Sequence, residues 1–434
     1  MEADLGSAAR PHGVRNSQLA LATLAVSAFV VGTCELVVVG LVDRIAASTE
    51  VSISAAGQVV TAYALGIGFG GPIVAALTTR IRRRGLLAAT IAAFLAGNAL
   101  TAAAASYGML LAARIATGAM QGLFIGVASV VAASLVIPER RGQAMSMVFG
   151  GIAVSTVLGV PLGTLLGQAL GWRAAFVAII ALGVVALVCT LLFIPDVEDH
   201  GSGRLADQLR AACAPSVLAM LGLGLLLIGG QFAAFTYLIP YLREETGISG
   251  GAVGAFLLVY GLASAVGTFG GGRLADRSAA TTLVVANLLL VLALAAFYLL
   301  GSTAALAAVS LAAWGLVGFG LVPALQLRVI ALAGPNADLA ATLSASAVNL
   351  GIALGAFVGG RVVASVGVHQ VVLTGLTIVT VALPATWATR RLQPVAAHTE
   401  SATPAVATAC HAMCLVEAGK AAAGMQSELV GGAR

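Results

Sequence analysis

Charge is scarce in this sequence, since only 9% of its 434 residues are Asp, Glu, Lys or Arg. Soluble domains carry about 25% charged residues, so this chain could not cover several soluble domains with a polar surface. Disorder is excluded as well, because disordered chains combine high charge with low hydrophobicity. Five cysteines in a chain of this length exclude a disulfide scaffold. Hydrophobic residues make up 60% and the mean hydropathy is +1.04, which leaves a polytopic membrane protein.

Lysine is nearly absent, and Lys420 stands alone beside the arginines in a total of 22 basic residues. The balance is nevertheless basic, with a net charge of +5 and a pI of about 9.2. The basic residues fall in short breaks between apolar runs, which is typical of membrane topology and argues against nucleic-acid binding. The abundance of Ala, Gly and Arg indicates a GC-rich genome and hence a bacterial source.

Long apolar runs, separated by charged residues or Gly/Pro clusters, predict an all-α membrane protein with twelve transmembrane helices. The predicted spans are 19–42, 55–78, 86–106, 109–136, 144–170, 174–194, 214–238, 252–271, 281–300, 303–325, 339–364 and 370–389. If the N-terminus is cytoplasmic, the inner segments hold 17 basic residues and the outer loops hold three, Arg44, Arg173 and Arg243. Basic residues concentrate on the cytoplasmic side, so we expect both termini in the cytoplasm and a multi-pass location in the cell (inner) membrane.

The chain contains an internal repeat. A shift of 197 residues places 51–80 on 248–277 without a gap, and the eight identities include Tyr63 with Tyr260. The matched blocks also occupy the same place in each half, span two and span eight with their flanking loops. Two six-helix bundles in parallel orientation that bind substrate between them form a transporter layout.

We predict two pseudo-symmetric six-helix bundles, at 19–194 and 214–389. A cytoplasmic N-terminal segment at 1–18 precedes them, a polar cytoplasmic linker at 195–213 joins them, and a mobile cytoplasmic tail at 390–434 follows. Cys410, His411 and Cys414 in the tail are metal-ligand types. Their spacing fits no common site and a fourth ligand is lacking, so we predict no metal site.

Glu35 is the acidic residue that lies inside a predicted span, and Arg114 is the basic residue well inside one. At about 1.5 Å per residue, their depths agree within a helical turn. A membrane-buried acid faces protein or water, which suits proton coupling or cation binding. We therefore predict a switchable Glu35–Arg114 pair, with Gln121 on nearly the same face as Arg114 and Gly118 open between them. The alternatives are a static ion pair and two unrelated buried polar groups.

Other polar or aromatic residues within the spans are candidates for a substrate cavity. They are Tyr63, Gln231, Phe235, Tyr237 and Tyr260, in addition to Gln121. Each one taken singly is also typical of a residue that joins two membrane helices by hydrogen bonds.

Several motifs resemble those of the major facilitator superfamily, in particular its twelve-span drug:proton antiporter branch with sugar-efflux (arabinose-efflux-permease-like) and chloramphenicol-type exporters. Gly272-Arg273-Leu274-Ala275-Asp276-Arg277 is similar to the family's cytoplasmic G-x-x-x-D-R loop motif. Its first-half counterpart is degenerate, with Ala75 and Thr79 in place of Gly and Asp before Arg80. Residues 111–118 resemble the span-four motif, whose arginine, here Arg114, the resemblance implicates in proton transfer.

Span five resembles the glycine-proline motif typical of exporters, through Gly159, Pro161 and Gly163. Closely spaced glycines let helices pack tightly, and Pro161 is expected to bend the span. Thr33-Cys34-Glu35 is similar to a span-one acid common among efflux proteins, and residues 349–360 resemble span eleven of the sugar-efflux group. The resemblance extends from about residue 18 to about 390 and implies export, with little information on substrate.

The predicted function is proton-coupled efflux of a small organic solute, such as a drug, antibiotic or sugar, by alternating access. Uptake of a small solute on the same fold is the first alternative, and a membrane sensor without transport is the second. An enzyme is not expected, because the spans lack the several converging polar groups that a catalytic site needs. We expect no cofactor, with the proton gradient as the energy source, and the expected partners are substrate, protons and the lipid bilayer. The protein is expected to be a monomer.

Overall fold

The computed structural model describes residues 14–78, 81–137, 140–196, 210–249, 251–334 and 338–392. Regular structure in this part of the chain is helical throughout. Eleven of its helical segments are long and apolar enough to cross a membrane. One of them, Ala252–Leu300, has 49 residues. A straight helix of that length would measure about 74 Å, more than twice the roughly 30 Å of a bilayer core.

That long segment consists of two spans. Ser278 has φ −163° and ψ 93°, which is extended backbone and ends the first helix. Its Oγ accepts a hydrogen bond from the backbone N–H of Thr281 at 3.4 Å, so Ser278 also caps the second helix. With the long segment divided at this residue, the described chain has twelve spans, as predicted.

The spans are numbered α1 to α12 in chain order. They are α1 Ser17–Thr49, α2 Ile53–Ala75, α3 Arg83–Ala102, α4 Tyr107–Ser134, α5 Met147–Leu170, α6 Trp172–Phe193, α7 Pro215–Glu244, α8 252–277, α9 279–300, α10 Ala304–Ala333, α11 Leu339–Val366 and α12 Gln370–Arg391.

Two helices extend further than the hydropathy pattern predicts. α1 continues past residue 42 to Thr49, through a buried 3₁₀ turn at Val37–Leu41. α7 continues past residue 238 to Glu244. Arg44, Arg173 and Arg243 were expected in outer loops, and the structure places them on α1, α6 and α7, which corrects that expectation. Asp43 of α1 and Arg243 of α7 lie near the ends of their helices. Their charges pair with each other, so the helix ends carry them without isolated buried charge.

The internal repeat extends beyond the block in which it was found. α1 packs against α5 as α7 packs against α11. α3 packs against α4 as α9 packs against α10, where Phe297 meets Trp314. The shift of 197 residues also relates Gly118 to Gly315. A Cβ on Gly118 would overlap the carbonyl oxygen of Tyr63, and one on Gly315 would lie 2.7 Å from the carbonyl oxygen of Tyr260. Both halves therefore bring the repeated tyrosine against the same glycine of a neighbouring helix.

α2 and α5 each contain one turn of π-helix. The turns are Gly66–Gly70 and Ser155–Gly159, and a proline, Pro72 or Pro161, stands two residues after each. Proline lacks an N–H and crowds the carbonyl four residues before it, so a wider turn relieves both problems. The expected bend at Pro161 thus takes the form of a π turn just ahead of it.

Candidate functional site

Glu35 lies near the end of the regular part of α1, two residues before its 3₁₀ turn. The residue is partly exposed, and its carboxylate oxygen Oε2 accepts a hydrogen bond from Gln121 Nε2 on α4. Tyr63 Oη on α2 donates in turn to Gln121 Oε1 at 2.6 Å. Three helices therefore meet at this carboxylate, and Tyr63 fixes the orientation of the amide that holds it.

Arg114 is fully buried on α4. Its Nη1 donates to Cys34 Sγ and its Nη2 to the Cys34 carbonyl oxygen, each at 3.2 Å. The guanidinium carbon lies 3.8 Å from the centre of the Tyr63 ring, which is a cation–π contact. A buried guanidinium needs acceptors, and here the sulfur, the carbonyl and the ring supply them.

The structure brings Glu35 and Arg114 into one cluster but not into a direct ion pair. Among the described residues, no carboxylate oxygen lies within 4.0 Å of the Arg114 nitrogens. The reason is geometric, because the guanidinium is turned toward Cys34, while Glu35 is held by Gln121. The two charged residues are connected through Tyr63, which contacts Arg114 by its ring and Gln121 by its hydroxyl. We call Glu35, Cys34, Tyr63, Asn98, Arg114 and Gln121 the polar cluster.

Glycines on the neighbouring helices allow the polar cluster to form. The face of α4 at Gly118 was expected to be open, but the backbone of α2 at Tyr63 fills it. This close approach is what lays the Tyr63 ring over Arg114. Gly97 of α3 makes room for Thr117 of α4 in the same way.

The exporter-type glycines of α5 pack against α1 beside Glu35. A Cβ on Gly159 would overlap the Thr33 side chain, one on Gly163 would lie 2.7 Å from Val37 Cγ2, and one on Gly167 would lie 2.6 Å from Leu41. These contacts repeat every four residues, one helical turn apart. The motif thus sets the distance between α5 and the helix that carries Glu35.

Four of the second-half residues form a separate cluster, which we call the aromatic cluster. Phe235 stacks on Tyr260 with a centroid distance of 4.5 Å, and Trp314 stands edge-on to Tyr260 at 5.8 Å. Gln231 Oε1 accepts a hydrogen bond from Trp314 Nε1 at 3.3 Å. Trp314 was not among the sequence predictions; its signal was a tryptophan in the middle of an apolar run.

Tyr237 lies apart from the aromatic cluster. It is fully buried, and its hydroxyl donates to the carbonyl oxygens of Ala356 on α11 at 3.0 Å and Ser54 on α2 at 3.4 Å. A Cβ on Gly57 would overlap its ring, and one on Gly360 would lie 2.5 Å from its hydroxyl oxygen. Tyr237 therefore fills the contact between the two halves rather than facing the other candidate cavity residues, because the regular helix of α7 is interrupted at Thr236 and Tyr237.

Charged residues at the same end of the molecule form a second connection between the halves. Arg243 of α7 pairs with Asp43 of α1, whose side chain is only 9% exposed. Gln168 of α5 accepts from Arg243 Nη2 at 3.1 Å and from Arg44 Nε at 2.8 Å, and donates to Asp43 Oδ1 at 3.2 Å. We call these four residues the Asp43 clamp. The hydropathy pattern did not predict the Asp43 clamp, because the clamp's charged residues lie at the ends of apolar runs and read as loop residues.

α5 and α8 also connect the halves, and they separate away from the clamp. Gly254 meets Leu165 and Gly261 meets Thr156. Beyond Gly261, an apolar cleft of about 410 Å³ lies between α1, α5 and α8, with Phe29, Met147 and Phe269 among its walls. The contact between α5 and α8 therefore ends in an apolar cleft away from the clamp. α2 and α11 stay close further along, where a Cβ on Gly68 would lie 3.1 Å from Leu350.

The loop-motif residues take part in neither cluster. Asp276 and Arg277 are exposed at the end of α8, directly before Ser278. A Cβ on Gly272 would lie 3.9 Å from Pro323 Cβ, an ordinary contact distance. Arg80, and the tail residues Cys410, His411 and Cys414, lie outside the described residues. Within the described part of the chain, no three His, Cys, Asp or Glu residues are grouped as metal ligands would be.

A repeated bundle of twelve membrane helices, with a charged cluster inside one half, is the architecture of a secondary transporter. The Major Facilitator Superfamily model matches residues 24–344, and the chain belongs to that family. Because its members are membrane transporters, the predictions of a multi-pass membrane protein and of a protein that is not an enzyme are both confirmed, as is the fold.

Curated relatives match over most of their length. The chain is 39% identical to the uncharacterized MFS-type transporter YtbD of Bacillus subtilis, over 85% of this chain and 94% of that one. It is 36% identical to the inner membrane transport protein YdhP of Escherichia coli, over 86% and 96%. It is 34% identical to a chloramphenicol resistance protein of Streptomyces lividans, over 78% and 88%.

Solved structures share the fold at low sequence identity. A bacterial homolog of the human lysosomal transporter Spinster, crystallised in an inward-facing and unoccupied conformation, superposes with a TM-score of 0.75. Sequence identity is 15%, and the match covers 87% of this chain and 98% of that one. The likeness supports the twelve-helix fold.

Proposed function

We propose that this transporter exports a small organic solute in exchange for protons. The observation that carries the proposal is Glu35, a partly exposed carboxylate inside the membrane region whose contacts are a neutral amide and, through Tyr63, a buried arginine. An ionisable group at such a place is costly unless it has a function, and proton exchange is the function it suits. The chloramphenicol resistance relative supports an antibiotic-like solute.

The geometry suggests how a proton and a solute are exchanged. Gln121 Nε2 donates to Oε2 of Glu35, and this bond is weaker when Glu35 carries a proton than when it is ionised. Arg114 offers the same carboxylate a competing positive charge. Any solute that binds better to one protonation state shifts the protonation equilibrium, and the coupling is reciprocal. With mostly Ala, Leu, Val and Gly around one acid and one arginine, a neutral or moderately apolar solute fits best.

Alternating access would proceed by rocking of the two halves about the cavity between them. We propose that the termini are cytoplasmic, on the distribution of 17 inner against three outer basic residues. The Asp43 clamp and Tyr237 then close the outer end, and the cleft between α5 and α8 lies toward the cytoplasm. The transporter would work as a monomer in the bacterial inner membrane, without a cofactor and with the proton gradient as its energy source.

The test is transport in proteoliposomes with an imposed pH gradient and radiolabelled chloramphenicol as the first probe. We expect Glu35→Gln to lose accumulation against the concentration gradient and to keep downhill exchange, because the variant cannot carry a proton. Glu244→Gln is the matched control, since Glu244 is an exposed acid at the end of α7. Gradient-driven accumulation by Glu35→Gln at the wild-type level would contradict the proton site.

The same vesicles decide the direction of transport. Export requires that the solute move from the cytoplasmic face while protons move inward, and uptake requires the opposite solute flux. A panel of antibiotics and sugars extends the assay if chloramphenicol is not carried. No flux of any of them, in either direction, would favour a sensor.

A further inference from the structure

The Arg114 guanidinium makes both of its hydrogen bonds to one residue, Cys34, which directly precedes Glu35. The bonds to Cys34 Sγ and to the Cys34 carbonyl oxygen are each 3.2 Å long. The third nitrogen, Nε, is buried and has no partner among the described residues. Neutral acceptors therefore hold Arg114 away from Glu35, and its Nε–H is left without a hydrogen bond.

Asn98 on α3 sets the direction of the sulfur. Cys34 Sγ donates its proton to Asn98 Oδ1 at 3.0 Å, and Asn98 Nδ2 donates to the Phe94 carbonyl oxygen at 2.9 Å. The second bond fixes which side of the amide faces Cys34. Because the thiol hydrogen is used on Asn98, the lone pairs of the sulfur are left for Arg114. Cys34, Asn98 and Arg114 are all fully buried, so water does not replace these contacts.

A thiol is a weak acceptor for so strong a donor. Hydroxyl or carboxylate oxygens would hold a guanidinium more firmly, and charge-assisted bonds to oxygen are about twice as strong as neutral ones. Cys34 and Glu35 are adjacent on α1, about 100° apart around the helix. An ionised Glu35 can therefore compete with Cys34 for Arg114, and the outcome depends on how strongly Cys34 holds it.

We propose that Cys34 and Asn98 are positioning residues, which hold Arg114 while Glu35 is protonated and set the pH at which Arg114 moves to the ionised carboxylate. The proposal rests on the proposed function, in which Glu35 is the proton site. The proton that Glu35 releases goes to water on the exposed side, and Arg114 stays protonated throughout. Arg114 exchanges its thiol acceptor for the carboxylate, and no covalent bond changes apart from the one to that proton.

Few other groups titrate near Arg114. The packed helices present Cys34 and Glu35 on α1 and Tyr63 on α2, and α5 carries no titratable residue. Arg84 of α3 and Arg173 of α6 bind backbone carbonyls near helix ends, Arg84 at Leu191 and Arg173 at Ala102 and Ala104. A shift in the titration of Glu35 can therefore be assigned to the Cys34–Asn98–Arg114 contacts.

The experiment follows the carboxyl band of Glu35 by infrared difference titration of the purified full-length protein, with Glu35→Gln to assign the band. This readout needs no substrate. In Cys34→Ser, the hydroxyl holds Arg114 more firmly, so we expect the midpoint of the titration to rise by about one pH unit. In Cys34→Ala, Arg114 is released toward Glu35, so the midpoint falls by a similar amount.

Asn98 supplies a second, independent pair of variants. Asn98→Asp places an anion beside the Cys34–Arg114 contact and should raise the midpoint, whereas Asn98→Ala should lower it. Cys189→Ser on α6 is the control and should leave the midpoint unchanged, because Cys189 lies outside the polar cluster. Thermal unfolding of each variant in detergent shows which of them are folded.

Opposite shifts for Ser and Ala at position 34 support the proposal, because a merely structural defect would move both variants the same way. Equal shifts, or shifts no larger than that of Cys189→Ser, would overturn it, even if Glu35→Gln blocks gradient-driven transport. Conversely, if Glu35→Gln transports normally, the proposed coupling fails, while the titration still decides whether Cys34 positions Arg114.

Discussion

Tyr63 and Tyr260 occupy the same position in the two halves, yet their surroundings differ. Tyr63 lies under the Arg114 guanidinium at 3.8 Å and donates to Gln121. Tyr260 lies between Phe235 and Trp314 and has aromatic neighbours only among its described ring contacts. The glycine that receives each tyrosine is nevertheless the same, Gly118 or Gly315. The repeat thus preserves the backbone packing, while the arginine over the tyrosine ring belongs to the first half, since the residue equivalent to Arg114 is Leu311.

The largest expected effect is on gradient-driven transport, and it comes from removing the charge of Arg114, which has no charged counterpart in the second half. Arg114→Met should lower gradient-driven transport by at least about 100-fold, the scale on which positioned proton-transfer groups act. Its counterpart by the shift of 197 residues is Leu311, which is fully buried. Leu311→Met should keep transport, because a volume-conserving core change is tolerated.

Arg114→Lys sharpens this comparison, since it keeps the charge and loses the planar contact with the Tyr63 ring. We expect intermediate transport from it, measured in the same pH-gradient vesicles. Wild-type transport by Arg114→Met would show that the asymmetry between the halves has no part in coupling.

The next effect tests the shared backbone packing. Gly118→Ala should lower the free energy of unfolding by about 1–3 kcal/mol, because its methyl group would overlap a backbone oxygen that cannot move aside. Gly315→Ala should cost less, since the corresponding oxygen is 2.7 Å away. Thermal unfolding in detergent measures both.

Gly126→Ala is the control for these two variants. No atom lies within 4 Å of its Cβ position, so it should be neutral or slightly stabilising. A Gly118→Ala protein as stable as the wild type would mean that α2 and α4 are not held at this distance.

The smallest effect is expected in the aromatic cluster. Trp314→Phe keeps most of the ring and removes the hydrogen bond to Gln231, so the free energy of unfolding should fall by about 1 kcal/mol. The pH dependence of transport should not change, because no charged residue is involved. Trp387→Phe, at an exposed position of α12, is the control. A shifted pH profile in Trp314→Phe alone would show that the second half also takes part in proton coupling.

The sequence could predict the features that differ clearly from the residues around them. Twelve apolar runs give the twelve spans, and a lone acid and a lone arginine within such runs identify Glu35 and Arg114. The equivalence of Tyr63 and Tyr260 follows from the repeat. In each case one residue or run is unusual for its surroundings, and its position alone carries the information.

Other parts depend on which helices touch, and sequence did not show them. Cys34 and Asn98 are neutral residues in apolar runs, and their importance comes from the arginine that packs against them. Asp43 and Arg243 look like loop charges until their pairing is seen. Tyr237 was grouped with Phe235 because they are close in sequence, but the break in α7 between them separates their side chains.

The π turns of α2 and α5 have a mechanical consequence. A π turn holds one residue more than a regular turn. Converting it to a regular turn would rotate the helix beyond it by about 100° relative to the helix before it. If the turn before Pro161 were to tighten, everything beyond it would swivel about the helix axis. The row of Gly159, Gly163 and Gly167 would then leave the groove of α1, and larger side chains would press against the helix that carries Glu35. The one extra residue of this π turn would thus couple a rotation of α5 to the position of Glu35.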